Sequence, residues 1–174
     1  MARRKIEIGS VQIFVGPENI SPYRVDAVVF EEDTFLVLSA DPEVTLVKED
    51  KERVLAEASA TPPAKPGSLV IKTGVPLQML AIIHDLNLKP SWKEEWVVSA
   101  LDEILREAEI RKLQSIALPL LGTRHGSLEK KRFIALLRQA LERNEPAYLK
   151  RLWLVAAAGT AREVLEILKS ELTK

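Results

Sequence analysis

Ala117-Leu118-Pro119-Leu120-Leu121-Gly122-Thr123-Arg124-His125-Gly126-Ser127-Leu128 is the stretch that decides the fold. An apolar strand, Ser115 to Leu118, feeds a short loop with two glycines. The loop opens a helix whose apolar residues Phe133, Ile134, Leu137, Ala140 and Leu141 line one stripe. Backbone N–H groups at a helix start are unsatisfied and carry partial positive charge. Glycine lets an anion approach that backbone closely. The loop is therefore a candidate anion cradle, with Thr123 and Ser127 as hydroxyl donors and Arg124 as added charge. The plainer reading is that Gly122 and Gly126 serve a tight turn and Ser127 only caps the helix. Neither a Walker pattern nor GxGxxG is present.

Upstream of this stretch, Ser91 with Glu94 three residues on predicts a capping box. The helix behind it carries Trp96, Val97, Ala100, Leu101, Ile104, Leu105 and Ala108 on one stripe. Ser68 to Lys72 and Met79 to His84 read as strands around a turn at Gly74 to Pro76, and Thr61 to Gly67, with three prolines, reads as a loop. Downstream, Leu152 to Ala158 is a strand, and Thr160 with Glu163 repeats the capping box. Strand–helix alternation predicts a mostly parallel sheet covered by helices on both faces, its parallel part running through all four of these strands. Ligands in such sheets sit beyond the carboxyl ends of strands, here at Leu120 to Ser127 and Ala158 to Thr160.

The N-terminal half is less regular. Ile6 to Ile8 and Val11 to Val15 suggest a hairpin or two short strands, with a turn at Gly16 to Asn19. Val25 to Phe30 and Phe35 to Leu38 suit strands buried on both faces. The charged segment Glu43 to Ala58 roughly fits a helix. No repeat or linker divides the 174 residues, so a single domain is expected.

Composition excludes several classes. Hydrophobic residues make up 47%, enough for a packed core. Lys+Arg and Asp+Glu both total 25, so there is no general pull toward nucleic acid or anionic membrane. With no cysteine and only His84 and His125, thiolate chemistry and Cys- or His-rich metal sites are excluded. No metal and no cofactor is implied. The basic start, Met1 to Lys5, has no apolar run behind it, so no signal peptide is expected and the cytoplasm is the default location. Abundant Glu, Lys and Arg is a thermophile-like balance, equally consistent with an ordinary charged surface.

The central stretch resembles the second ligand loop of macro domains, which bind ADP-ribose and related nucleotides. The family pattern there is an apolar strand, Pro, two apolar residues, Gly-Thr-Gly or Ser-Thr-Gly, a short variable step, Gly and a helix. Lys65-Pro66-Gly67-Ser68, Gly74, Pro76-Leu77 and Ala81-Ile82-Ile83-His84 resemble the family's two central strands, and the match runs from about Pro63 to Leu141. The resemblance implies a three-layer α/β/α fold, a mixed sheet flanked by helices. It extends to Val25-Asp26-Ala27-Val28-Val29. Asn19-Ile20-Ser21 then falls where the family has Asp-Ile-Thr, which places Asn19 and Ile20 at the adenine side. Asp33 stands for the asparagine that serves the distal ribose and catalysis in hydrolytic members. The family's phosphate-wrapping glycine run is missing, since no glycine lies between Gly16 and Gly67. Arg124 occupies a family glycine position.

The candidate ligand-binding residues are thus Asn19, Ile20, Asp33, Gly122, Thr123, Arg124, His125, Gly126 and Ser127, with no catalytic residue assigned. His84 reads as a hydrogen-bonded structural histidine. His125, in the loop, could hold an anion or act as acid or base. Glu31-Glu32-Asp33 reads either as a solvated loop or as a carboxylate group for a cation or polar ligand, and it could pair with Arg124. Trp92, Trp96 and Trp153 read as packing residues. The expected function is binding of ADP-ribose or a related nucleotide or phosphate at the loop after Pro119. The alternative is a degenerate macro fold without a nucleotide pocket, acting as an interaction or oligomerisation module, with a homo-oligomer as one form. An ADP-ribosyl hydrolase is the weakest reading, because the asparagine and glycine run it needs are absent.

Overall fold

The computed structural model describes residues 6–17, 24–36, 38 and 64–172. Asn19, Ile20, the expected Glu43 to Ala58 helix and the first residues of the Thr61 to Gly67 loop lie outside them. The strands are β1 (Ile6–Ile8), β2 (Val11–Pro17), β3 (Ala27–Asp33), β4 (Leu69–Lys72), β5 (Leu77–His84), β6 (Ser115–Pro119) and β7 (Arg151–Ala156). They form one seven-stranded mixed sheet in the order β1-β2-β7-β6-β3-β5-β4. Three described helices flank it: α1 (Glu94–Ile110), α2 (Lys130–Asn144) and α3 (Ala161–Leu172).

The sheet's interior is parallel. β2 pairs with β7, β7 with β6, β6 with β3 and β3 with β5, all in the same sense. Each edge is antiparallel: β1 turns back on β2 through Gly9, whose φ is +60°, and β4 pairs antiparallel with β5. The orientation of β4 corrects the expectation that it belongs to the parallel set. Only Thr73 to Pro76 join β4 to β5, and a parallel crossover needs a dozen residues or more.

Burial follows the sequence stripes. Val97, Ala100, Leu101, Ile104, Leu105 and Ala108 of α1 are buried, as are Phe133, Ile134, Leu137, Ala140 and Leu141 of α2. They close over Met79, Ile83, Ile116 and Leu118 of the sheet. Asp26 locks the entry to β3. Its Oδ2 accepts the N–H groups of Gln114 and Ser115 at 2.8 and 3.2 Å, and its own N–H donates to the Ser115 hydroxyl. Trp153 stacks on Phe14 with ring centroids 4.6 Å apart.

Three local expectations are corrected. Phe35, Leu36 and Leu38, the described residues of the expected Phe35 to Leu38 strand, lie in a turn. Asp33 accepts the N–H groups of Phe35 and Leu38 at 2.7 and 2.8 Å, which turns the chain there, and Leu36 takes φ +59°. A short carboxylate that binds backbone just ahead of it initiates a turn in this way. Ser91 does not cap α1, which starts behind Lys93, because its hydroxyl meets His84. Ser127 does not cap α2, which starts behind Glu129, also without a side-chain cap.

Candidate functional site

The loops behind β3, β6 and β7 surround a cavity of about 390 Å³. Its floor is apolar, with Val28, Val29 and Val155 from the strands and Val164 from α3. Its polar groups are Glu31, Thr123, Arg124, His125, Lys130 and Thr160. An apolar cleft with a few convergent polar groups, beyond the carboxyl ends of parallel strands, is the usual form of a small-molecule site.

A register irregularity at Glu32/Asp33, where β3 meets β5, shapes the acidic run. Strand residues normally alternate faces. Here Glu32 and Asp33 are consecutive and both fully buried, while Glu31 reaches the cavity. A bulge at a strand end re-aims side chains in this manner. The run is therefore not a solvated loop. Asp33 is committed to the Phe35 and Leu38 amides, and the cavity wall is formed by Glu31 instead.

Glu31 is held at both oxygens. Oε1 accepts the Gly122 N–H at 2.6 Å, and Oε2 lies 2.9 Å from His84 Nε2. With Glu31 as a carboxylate, Nε2 must carry the hydrogen. His84 is 1% exposed, and its Nδ1 lies 3.3 Å from the Ser91 hydroxyl. The histidine is thus a buried, hydrogen-bonded link, as its place at the end of an apolar strand implied. The His125 ring stands edge-on to it, centroids 6.3 Å apart.

The loop after Pro119 is folded onto itself. Gly122 has φ +82°, its N–H goes to Glu31, and its carbonyl accepts the Leu128 N–H at 3.1 Å. Both Thr123 donors, N–H and hydroxyl, go to the Leu120 carbonyl. A Cβ on Gly126 would stand 2.6 Å from the Gly122 carbonyl oxygen and 2.9 Å from Trp92 Cδ1. Gly126 is thus a close-packing glycine. Ser127 is exposed, and Thr123, Arg124 and His125 are the loop residues that line the cavity. The Thr160 hydroxyl donates to the Ala157 carbonyl at 2.8 Å.

Of the wall residues, sequence reasoning placed Thr160 in a candidate ligand loop and Glu31 in an acidic run without singling out either, and missed Lys130. Lys130 had a readable signal. The first turn of α2 contains no acid and begins Lys130-Lys131-Arg132, against the helix dipole, which favours acids there. Lys130 forms an ion pair with Glu163 at 3.1 Å. Arg132 donates through Nε and Nη2 to one oxygen of Glu94 and holds that carboxyl below its ordinary range. The pair ties the start of α2 to the start of α1. Among the described residues no group of three or more His, Asp or Glu could hold a metal ion. No helix among them is long and apolar enough to cross a membrane.

The architecture places the chain among α/β proteins with a mixed sheet, and its fold is that of the macrodomains. It is similar to the Oceanobacillus iheyensis macrodomain with ADP, with a TM-score of 0.71 and 14% identity over 97% of this chain and 96% of that one. A mutant of the same macrodomain with ADPR gives 0.68 and 19% identity over 98% of each chain. The macrodomain of Thermus aquaticus DarG gives 0.59 and 19% identity over 82% of this chain and 97% of its own. No protein-family model matches the sequence, and no curated protein does.

Proposed function

We propose that the chain binds ADP-ribose or a related nucleotide in the cavity bounded by the loop after Pro119. The observation that carries this reading is the position of the cavity. It lies at the carboxyl ends of β3, β6 and β7, in a fold whose solved examples include complexes with ADP and ADPR. Arg124, His125 and Lys130 supply cationic or proton-donating groups to its wall. The apolar floor suits a base or a ribose face. Gly122, Thr123 and Gly126 shape the loop. Ser127 is its most peripheral member, and Asn19 and Ile20 would close the adenine side.

Thermal-shift and calorimetric titrations with ADP-ribose, ADP, NAD and phosphate test the reading. A ligand at 100-fold over its dissociation constant raises stability by about 2.7 kcal/mol. No shift with any of the four, at millimolar concentration, would sink it. The second reading, a macro fold without a nucleotide pocket, draws on one observation: the Gly122 amide is already bonded to Glu31.

ADP-ribosyl hydrolysis does not follow from this site. Asp33, at the position of the family asparagine, is fully buried and bonded to its own loop.

A further inference from the structure

Glu31 is the one acid among the described residues that line the cavity. Its Oε1 sits 2.6 Å from the Gly122 amide, at the first glycine of the loop that sequence reasoning singles out as an anion cradle. That N–H is therefore committed to an anion belonging to the protein itself. Glu31 is not a loose surface acid. Its side chain is 8% exposed, and His84, 1% exposed, grips the other oxygen. Freeing the amide means breaking a sheltered charge-assisted hydrogen bond and leaving a carboxylate oxygen without its donor. A phosphate brought to this corner would also face the Glu31 charge at close range, where the surrounding protein screens poorly.

We propose that Glu31 is the specificity-determining residue of this cavity. It takes the place of a ligand anion at the Gly122 amide, so the site selects nucleosides and singly charged nucleotide fragments over diphosphates. This rests on the nucleotide-binding reading above and narrows it to the related, less charged ligands, since ADP-ribose is itself a diphosphate. Selectivity of this kind works by repulsion as well as by attraction. The carboxylate also offers hydrogen-bond acceptors to ribose hydroxyls, which carry no charge to oppose it.

The test uses the full chain as wild type, Glu31→Gln and Glu31→Ala. Glutamine keeps the shape and can still accept the Gly122 N–H while it removes the charge, its NH2 then facing His84 Nε2, which accepts in the other tautomer; alanine vacates the position. Adenosine, ADP and inorganic phosphate are titrated into each by calorimetry, with the Gly122 amide resonance followed by NMR and thermal unfolding as the check on folding. In the wild type, ADP should bind no more tightly than adenosine. In Glu31→Gln the ADP-to-adenosine affinity ratio should rise by about tenfold or more. In Glu31→Ala the Gly122 resonance should move on adding phosphate, as it does not in the wild type. A wild type that already prefers ADP, with a ratio unchanged in Glu31→Gln, overturns the proposal. If the wild type binds neither adenosine nor ADP, the broader reading fails, and phosphate decides this one separately. Phosphate binding gained at Gly122 in Glu31→Ala upholds the role of Glu31, and no gain in either variant overturns it.

Discussion

Gly122 of the loop after Pro119 donates its N–H to Glu31 Oε1 across 2.6 Å, and Glu31 in turn is held by His84 on β5. Two strand ends and the loop behind a third are thereby one hydrogen-bonded unit. The cavity wall is consequently preset by the protein's own groups before any ligand arrives.

This unit should show energetic coupling. Glu31→Ala and His84→Ala each leave a sheltered partner unsatisfied and should cost about 1–3 kcal/mol in urea unfolding. The double variant removes both partners together. Its cost should fall short of the sum by about 0.5–3 kcal/mol. Strict additivity would show that the observed contact contributes nothing as a pair.

Asp33 should prove structural. Asp33→Ala strips two backbone amides of their acceptor in a partly buried turn and should destabilise by about 1–3 kcal/mol. Asp33→Asn, keeping one acceptor oxygen, should lose less. On a mono-ADP-ribosylated protein, wild-type turnover should stay at background. Turnover above background that vanishes in a folded Asp33→Ala variant would assign Asp33 to catalysis after all.

The glycines should rank by their surroundings. Gly159, with φ +80° and open space at its Cβ position, should tolerate alanine at about 1 kcal/mol, the left-handed backbone penalty alone. At Gly126 the added methyl meets the Gly122 carbonyl and the Trp92 ring, and overpacking of that kind costs about 1–3 kcal/mol. At Gly122 the positive φ and contacts with Leu128 add together. Equal melting temperatures for Gly126→Ala and wild type would contradict the packing. Bulky replacements at Gly122 or Gly126 consequently report on the loop's integrity as well as on ligand contact.

Arg132 holds the Glu94 carboxyl below its ordinary value of 4.5. A lowered folded-state value means the contribution is present above 4.5 and is lost as pH falls through the folded value. Glu94→Gln should therefore lower stability at neutral pH, and its difference from wild type should vanish as pH falls through the folded value. Because the pair is exposed, the difference should be small and should shrink in high salt. A difference that persists unchanged at neutral pH and high salt would point to packing instead.

The sequence made the fold legible where periodicity was strong. The stripes of α1 and α2 and the strand before Pro119 carry their own signal, and the burial of Val97, Leu101, Phe133 and Leu137 follows it. Helix caps were harder. Ser91 has the right spacing from Glu94, yet a long-range partner, His84, holds its hydroxyl. The sense of β4 followed from loop length, a signal that strand–helix alternation masked. At the site, the loop was found from Gly122 and Gly126. Glu31 was seen only as part of an acidic run, because a bulge sorts Glu31 from Glu32 and Asp33, and a bulge has no local signature in three consecutive acids.

The ring of Trp92 rests against Gly126, and its backbone bridges to His84. The indole therefore lies against the loop after Pro119, on a residue whose backbone is tied to the histidine behind Glu31. Indole emission follows the polarity around the ring, so the protein carries its own optical gauge of loop movement. Trp96 in α1 and Trp153, stacked on Phe14, would add background. With those two replaced by phenylalanine, the remaining emission would follow the loop in real time, without a label.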